Sequence, residues 1–202
     1  HHFFEIRIKF TPYPLKHISF LGLDGSGKSS LINNISKGIG ERIYNVRKEH
    51  LKPSLFTGQA GKKVTRPHLM KPRNNFISII KLFYWIYAYN YKNYNHRLGE
   101  TTLILWDRYI DDISIDPLRY RLNLKRKTYD FFINLVPKPE CTFIVDVPAK
   151  LAFKRKRELT VSILNDLRKK YLENGKKIKN TFVIDNSKNL NDVTKKTIKI
   201  IT

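Results

Sequence analysis

One stretch restricts the fold more than any other. Gly22-Leu-Asp-Gly-Ser-Gly-Lys28-Ser29 fits the pattern G-x-x-x-x-G-K-[ST]. The spacing has a physical reason. Glycines let the backbone curl so that successive N–H groups point inward around a phosphate. A helix that follows presents free N–H donors and the positive end of its dipole. A lysine at position 28 reaches β- and γ-phosphate oxygens, and the hydroxyl of Ser29 is a ligand for Mg²⁺. The loop therefore implies a nucleoside triphosphate, ATP first, held by Gly22, Asp24, Gly25, Ser26, Gly27, Lys28, Ser29 and Ser30.

The flanks suit that loop. Residues 17–22 are a short apolar run entering the glycine turn. Residues 28–39 put Leu31, Ile32 and Ile35 on one helical face. Further strands are expected over residues 43–50, 102–106, 141–147 and 180–184, and helices over 75–97, 129–136, from Pro148 onward, and over 190–201. Strands alternating with helices predict an α/β protein. The expected architecture is a three-layer P-loop NTPase fold, with a parallel five-stranded sheet between helices. Residues 1–16 read as an extension or linker, and 17–202 as one kinase-sized domain. Residues 51–73 form a long Pro-, Gly- and Lys-rich connection, a length that more often marks a functional or disordered loop.

Two further clusters point to phosphate chemistry. Asp107-Arg108-Tyr109 follows a buried-looking strand, and ligands bind at carboxyl ends of strands in open α/β sheets. Asp107 can serve a magnesium shell or the acceptor, and Arg108 can clamp a phosphate with two donors. Lys154-Arg155-Lys156-Arg157 is expected on the helix after residues 141–147. Guanidinium groups there could neutralise the charge that phosphoryl transfer spreads over the transferred group; a solvated basic face is the alternative. The catalytic set expected is Lys28, Asp107, Arg108, Arg155 and Arg157, with Ser29 and Asp107 for the metal. His50, Arg66, His68, Asp111, Asp112, Asp116, Arg119 and Arg121 surround the expected acceptor region. Each reads first as structural or solvated.

The 202 residues carry a formal net charge of +22. Such a balance attracts anions: nucleotides, nucleic acid or an acidic membrane surface. Lysines and arginines run along the whole chain with no single basic tail. That suits an anionic small substrate better than dedicated nucleic-acid binding. The lone cysteine, Cys141, allows no intramolecular disulfide and suits a reducing cytoplasm. The longest apolar stretch, 76–89, is broken by Lys81 and is too short to span a bilayer. His1 and His2 read as a tag remnant and carry no argument.

GLDGSGKSSL, WDRY and VDVPAKLAFKRKRE together resemble the thymidylate kinase family of nucleoside monophosphate kinases, over nearly the whole chain from residue 17. The resemblance implies ATP and Mg²⁺ as cofactors, a homodimer with the aromatic helix of residues 76–94 as a candidate interface, and a cytoplasmic enzyme. It also implies roles: Asp24 near the acceptor sugar, Asp107 for magnesium or acceptor, Arg108 on phosphates, and Arg155 and Arg157 as lid arginines, with Arg168 a possible substitute. The chain departs from the family where His50-Leu-Lys-Pro53 stands for an Arg-Glu-Pro-like element. It departs again where Asp-Arg-Tyr continues into Ile110-Asp-Asp-Ile-Ser-Ile-Asp116-Pro. These departures suggest a divergent branch and leave open dTMP or another phosphorylated acceptor. Two further readings are a nucleotide-binding degenerate kinase and a basic nucleic-acid-binding ATPase. A GTPase-like switch lacks its Asn-Lys-x-Asp element, since 186–189 reads Asn-Ser-Lys-Asn.

Overall fold

The computed structural model describes residues 16–40, 45–51, 68, 70–97 and 102–201. The expected extension, apart from Lys16, lies outside the described residues. So do Ile43, Tyr44, Arg66 and most of the 51–73 connection.

Five parallel strands form one sheet: β1 (Lys16–Leu21), β2 (Asn45–His50), β3 (Thr102–Asp107), β4 (Cys141–Asp146) and β5 (Thr181–Asp185). Their spatial order is β2-β3-β1-β4-β5. The helices are α1 (Lys28–Gly40), α2 (Asn75–Arg97), α3 (Asp112–Ile115), α4 (Arg126–Asn134), α5 (Ala149–Arg155), α6 (Val161–Gly175) and α7 (Leu190–Ile201). A 3-10 turn, Pro117–Tyr120, follows α3.

Continuous apolar strands are what a sheet covered on both faces requires. Successive side chains point to opposite faces, so the two cores alternate along each strand. Phe20, Leu103, Leu105, Phe143 and Val145 meet Leu31, Ile35, Val193 and Ile201 on the α1/α7 side. Leu21, Ile104, Trp106 and Ile144 meet residues of α2, α4 and α6 on the other. Trp106 is fully buried, and its indole N–H donates to His17 Nδ1 at 2.9 Å. That bond ties β3 to β1 one residue before Asp107.

Two differences from the sequence expectation matter. The fourth helix starts at Arg126 and ends at Asn134, three residues earlier and two residues shorter at its end than the 129–136 expected. A long helix, α6, follows the basic segment where no helix was assigned. Thr160 caps it by accepting from Ile163 N–H at 3.4 Å, and Leu164, Leu167 and Tyr171 are its buried face.

Candidate functional site

The glycine loop leaves β1 and enters α1. Gly25 has φ +81° and Gly27 φ +86°, a region that L side chains rarely adopt. Each is also crowded. A Cβ on Gly25 would lie 2.5 Å from the Ala152 carbonyl oxygen, and one on Gly27 would lie 2.5 Å from Asn186 Nδ2. The loop is therefore wedged between α5 and the end of β5, and only glycine fits at either position.

Lys28 is the buried cation of this loop. Its Nζ donates to Gly22 O at 3.0 Å, Leu23 O at 2.6 Å and Ser26 Oγ at 3.2 Å. Burial, then Arg108, pulls its ammonium down to about 7, against Asp107 and Asp24, which hold it up. To meet a phosphate, Nζ exchanges loop acceptors for phosphate oxygens, which favour the charged form. Ser29, at the first turn of α1, donates from Oγ to Asp107 Oδ2 at 2.6 Å. Asp107 is brought there by register, since it pairs with Phe20 of β1 and His50 of β2. A hydroxyl and a carboxylate at this distance are two hard oxygen donors at one point. Among the described residues no cluster of three or more His, Cys, Asp or Glu could hold a metal by itself. Ser30 is exposed on the next position of α1.

Arg108 sits immediately beyond. Its backbone takes φ +72°, while its N–H donates to Phe20 O at 3.0 Å. The guanidinium is buried and donates to Asp112 Oδ2 at 2.6 Å, Tyr171 hydroxyl at 2.9 Å and Asp24 Oδ1 at 2.9 Å. Burial opposes its charge, but Asp112, Tyr171, Tyr120 and Asp24 outweigh burial and keep it fully protonated. Asp24 also accepts from Arg119 Nη1, and Lys156 Nζ stands 3.9 Å away. Burial would raise the Asp24 carboxyl, yet Arg108 and Arg119 hold it well below the usual carboxylate range. Asp112 takes hydroxyl donors from Tyr171 at 2.7 Å and from Tyr120. A small cavity lies beside this network, lined by Asp24, Arg108 and Arg119 together with Leu159, Leu164 and Leu167.

The remaining sequence candidates divide. Arg155 closes on the loop, with Nη1 3.4 Å from Gly25 O. Lys154 and Arg157 are exposed, and Arg157 lies past the end of α5. Arg168 is held by Asp146 in a two-pronged pair, both distances 2.7 Å, and so is an ion-pair partner at the end of β4. His68 joins Asp116 in the pocket wall. Asp111 precedes α3 and does not line the pocket. Arg121 Nε donates to Lys71 O at 3.1 Å, a structural contact. His50 ends β2 beside Asp107.

One residue was missed. Asn186 follows β5, is buried, and donates from Nδ2 to Ser26 O at 2.7 Å. Its own N–H donates to Asp146 O at 2.9 Å. It holds the glycine loop from the carboxyl end of β5, the edge strand beside β4. The only signal was its place at a strand's carboxyl end. Asn186→Ala strands the buried Ser26 carbonyl, a cost of about 1–3 kcal/mol. The expected result is a KM for ATP raised roughly tenfold, with kcat within about twofold. An unchanged KM contradicts this role.

A glycine loop on a helix N-terminus, a serine joined to a strand-end aspartate, and a buried arginine beside a small cavity define a P-loop phosphotransferase. The thymidylate kinase family model matches residues 20–197, and the chain belongs to that family. Its members use ATP to phosphorylate nucleoside monophosphates, and this chain is an enzyme of that kind. A probable thymidylate kinase of Sulfurisphaera tokodaii is 28% identical over 193 residues, covering 92% of this chain and 95% of the relative. One from Saccharolobus solfataricus is 27% identical, covering 92% and 96%. Among solved structures, deoxyadenosine kinase from M. mycoides aligns with a TM-score of 0.61 at 18% identity, covering 92% of this chain and 98% of that one. Thymidylate kinase from Candida albicans aligns with a TM-score of 0.64 at 18% identity, covering 93% and 91%. The two structural likenesses speak to the fold.

Proposed function

We propose that this chain transfers the γ-phosphoryl of MgATP to dTMP. The observation that carries the reading is the meeting of Ser29 with Asp107 at 2.6 Å under the glycine loop, next to the pocket that Asp24, Arg108 and Arg119 line. In this reading Ser29 and Asp107 would hold Mg²⁺ through their side-chain oxygens. The chemistry such an ion would supply there is neutralisation of phosphate charge. Gly22 through Ser30 hold the triphosphate, and Lys28 draws charge from the β- and γ-oxygens. Arg108 aligns donor and acceptor phosphates across the pocket. Arg155, already against the loop, covers the transferred group, with Arg157 swinging in from the exposed segment after α5. No protein nucleophile is needed, because in-line transfer rests on positioning and charge. The kinase unit is residues 17–202, and no helix among the described residues is long and apolar enough to cross a membrane. The enzyme works in the cytoplasm.

The acceptor is tested by ATP consumption with magnesium against dTMP, other nucleoside monophosphates, sugar phosphates and no acceptor. The reading predicts turnover with dTMP and little without acceptor. ATP binding with turnover only on another compound removes dTMP. ATP binding with no turnover at all makes the chain a degenerate kinase.

We also propose a homodimer through α2. Phe76, Ile80, Phe83 and Tyr87 lie on one stripe of that helix and are 72%, 53%, 55% and 61% exposed. Such a stripe in water is costly unless covered. Sedimentation should give twice the 23.9 kDa chain mass. A monomer at all concentrations contradicts the dimer.

A further inference from the structure

Asp112 is fully buried and takes no part in the cavity wall, so any effect it has on the reaction passes through another residue. Its carboxylate closes a ring of hydrogen bonds on Arg108. Oδ2 accepts from Arg108 Nη1 at 2.6 Å and from the Tyr120 hydroxyl. Oδ1 accepts from the Tyr171 hydroxyl at 2.7 Å, and that hydroxyl accepts from the same Nη1 at 2.9 Å. Nη1 has two protons, and Asp112 and Tyr171 take both. Nη2 donates to Asp24 Oδ1 at 2.9 Å, and Asp24 does line the cavity.

A buried ion pair is a poor device for stability alone, because desolvation offsets much of the attraction and apolar packing often serves a fold as well. A full set of partners on one edge of a guanidinium does provide a fixed orientation. A free arginine gives up rotamer freedom when it meets a phosphate, whereas one already held loses little. Donors fixed in advance are worth most where charge develops. The backbone is fixed too: Arg108 N–H donates to Phe20 O and Asp112 N–H to Tyr109 O, both at 3.0 Å. We infer that Asp112 is a positioning residue for phosphoryl transfer: with Tyr171 it holds Nη1, and so sets the direction in which Arg108 presents Nη2 to the phosphates. This rests on the reading of Arg108 as the residue that aligns donor and acceptor phosphates.

Steady-state kinetics of the full chain with MgATP test it, using whichever nucleoside monophosphate turns over fastest, dTMP in the reading above. Asp112→Asn, Arg108→Lys and the double variant are compared with the wild type, each rate divided by the folded fraction from a denaturant titration. Asparagine keeps the shape and removes the charge that draws Nη1. Lysine keeps a cation for Asp112 and Asp24 and removes the fork. Asp112→Asn is expected to lower kcat about ten- to a hundredfold, with KM for ATP within about twofold. In the Arg108→Lys background the same change should lower kcat by less than about threefold, because the group it positions is gone. A folded Asp112→Asn enzyme with wild-type kcat, whatever its KM, overturns the proposal, since a carboxylate that serves the fold alone costs stability and not rate. An equal loss in both backgrounds overturns it too, because the effect then does not pass through Arg108. If Asp112→Asn does not fold, Tyr120→Phe takes its place, removing one donor to Oδ2 at a residue outside the cavity wall. Its kcat should fall about three- to tenfold, and not in the Arg108→Lys background; an unchanged kcat overturns the proposal. Failure of the underlying reading looks different. Arg108→Lys with wild-type kcat removes Arg108 from the reaction and Asp112 with it, as does a wild type inactive on every nucleoside monophosphate. An impaired Arg108→Lys beside a fully active Asp112→Asn leaves Arg108 standing and removes Asp112 alone.

Discussion

Lys28→Ala lowers the rate of phosphoryl transfer by about 10³-fold, with the fold intact. Its Nζ touches only the loop, at Gly22 O, Leu23 O and Ser26 Oγ, so the substitution leaves both cores alone. What is lost is the one ammonium that the loop points at β- and γ-oxygens as charge develops. Single-turnover kinetics read the loss, and a decrease below about tenfold contradicts the role. The lysine also has a pH signature. Its ammonium is lowered from 10.5 to about 7, with burial the largest cause and Arg108 next. Between those values the unfolded chain keeps a proton that the folded chain has released. Stability from this group therefore rises with pH across that window and is least below pH 7. Urea midpoints should show the wild type gaining on Lys28→Ala between pH 7 and 9. A pH-independent difference contradicts that assignment.

Arg108→Ala is expected to destabilise the protein by about 3–5 kcal/mol, because it abandons buried partners. Asp112 is fully buried and Asp24 nearly so, and both lose their shared cation. Burial raises the Asp112 carboxyl, but Arg108 and Arg119 outweigh it and hold it below its ordinary value. Asp24 is lowered in the same way. Both depressed carboxyls contribute stability that is complete above the unfolded value of about 3.9 and drains as pH falls below it. Removing Arg108 raises both, so acid unfolding begins at a higher pH in the variant. Denaturant titrations at pH 7 and 4 measure both effects. A variant as stable as the wild type contradicts the network.

The legible parts of this molecule share one property: their signal is local. The glycine loop, the apolar strands and the period of α1 each announce themselves within a few residues, and the sheet follows from the alternation of strands and helices. Asp107 and Arg108 were visible because a charged pair closing an apolar strand is a local event. The network around Arg108 was not. Asp24, Asp112, Arg119 and Tyr171 are spread over the chain, and nothing in their own neighbourhoods says that one guanidinium collects them. The same holds for Asn186, whose bond to Ser26 spans 160 positions. Helix α6 was missed for another reason. Its apolar residues Leu164, Leu167 and Tyr171 have helical spacing, but they stand among the exposed Asn165, Asp166, Lys169 and Lys170, beside a segment read as a lid. Arg168 was therefore a possible substitute lid arginine, whereas Asp146 at the end of β4 holds it.

The γ-phosphoryl of ATP passes from the Gly22 loop to a nucleoside monophosphate in this proposal. ATP labelled on its γ-phosphate, incubated with magnesium, dTMP and the full chain, tests it most directly. Label is expected in dTDP, at a rate that Lys28→Ala lowers by about 10³-fold. Label released only as inorganic phosphate, or dTDP formed equally well by the variant, would contradict it.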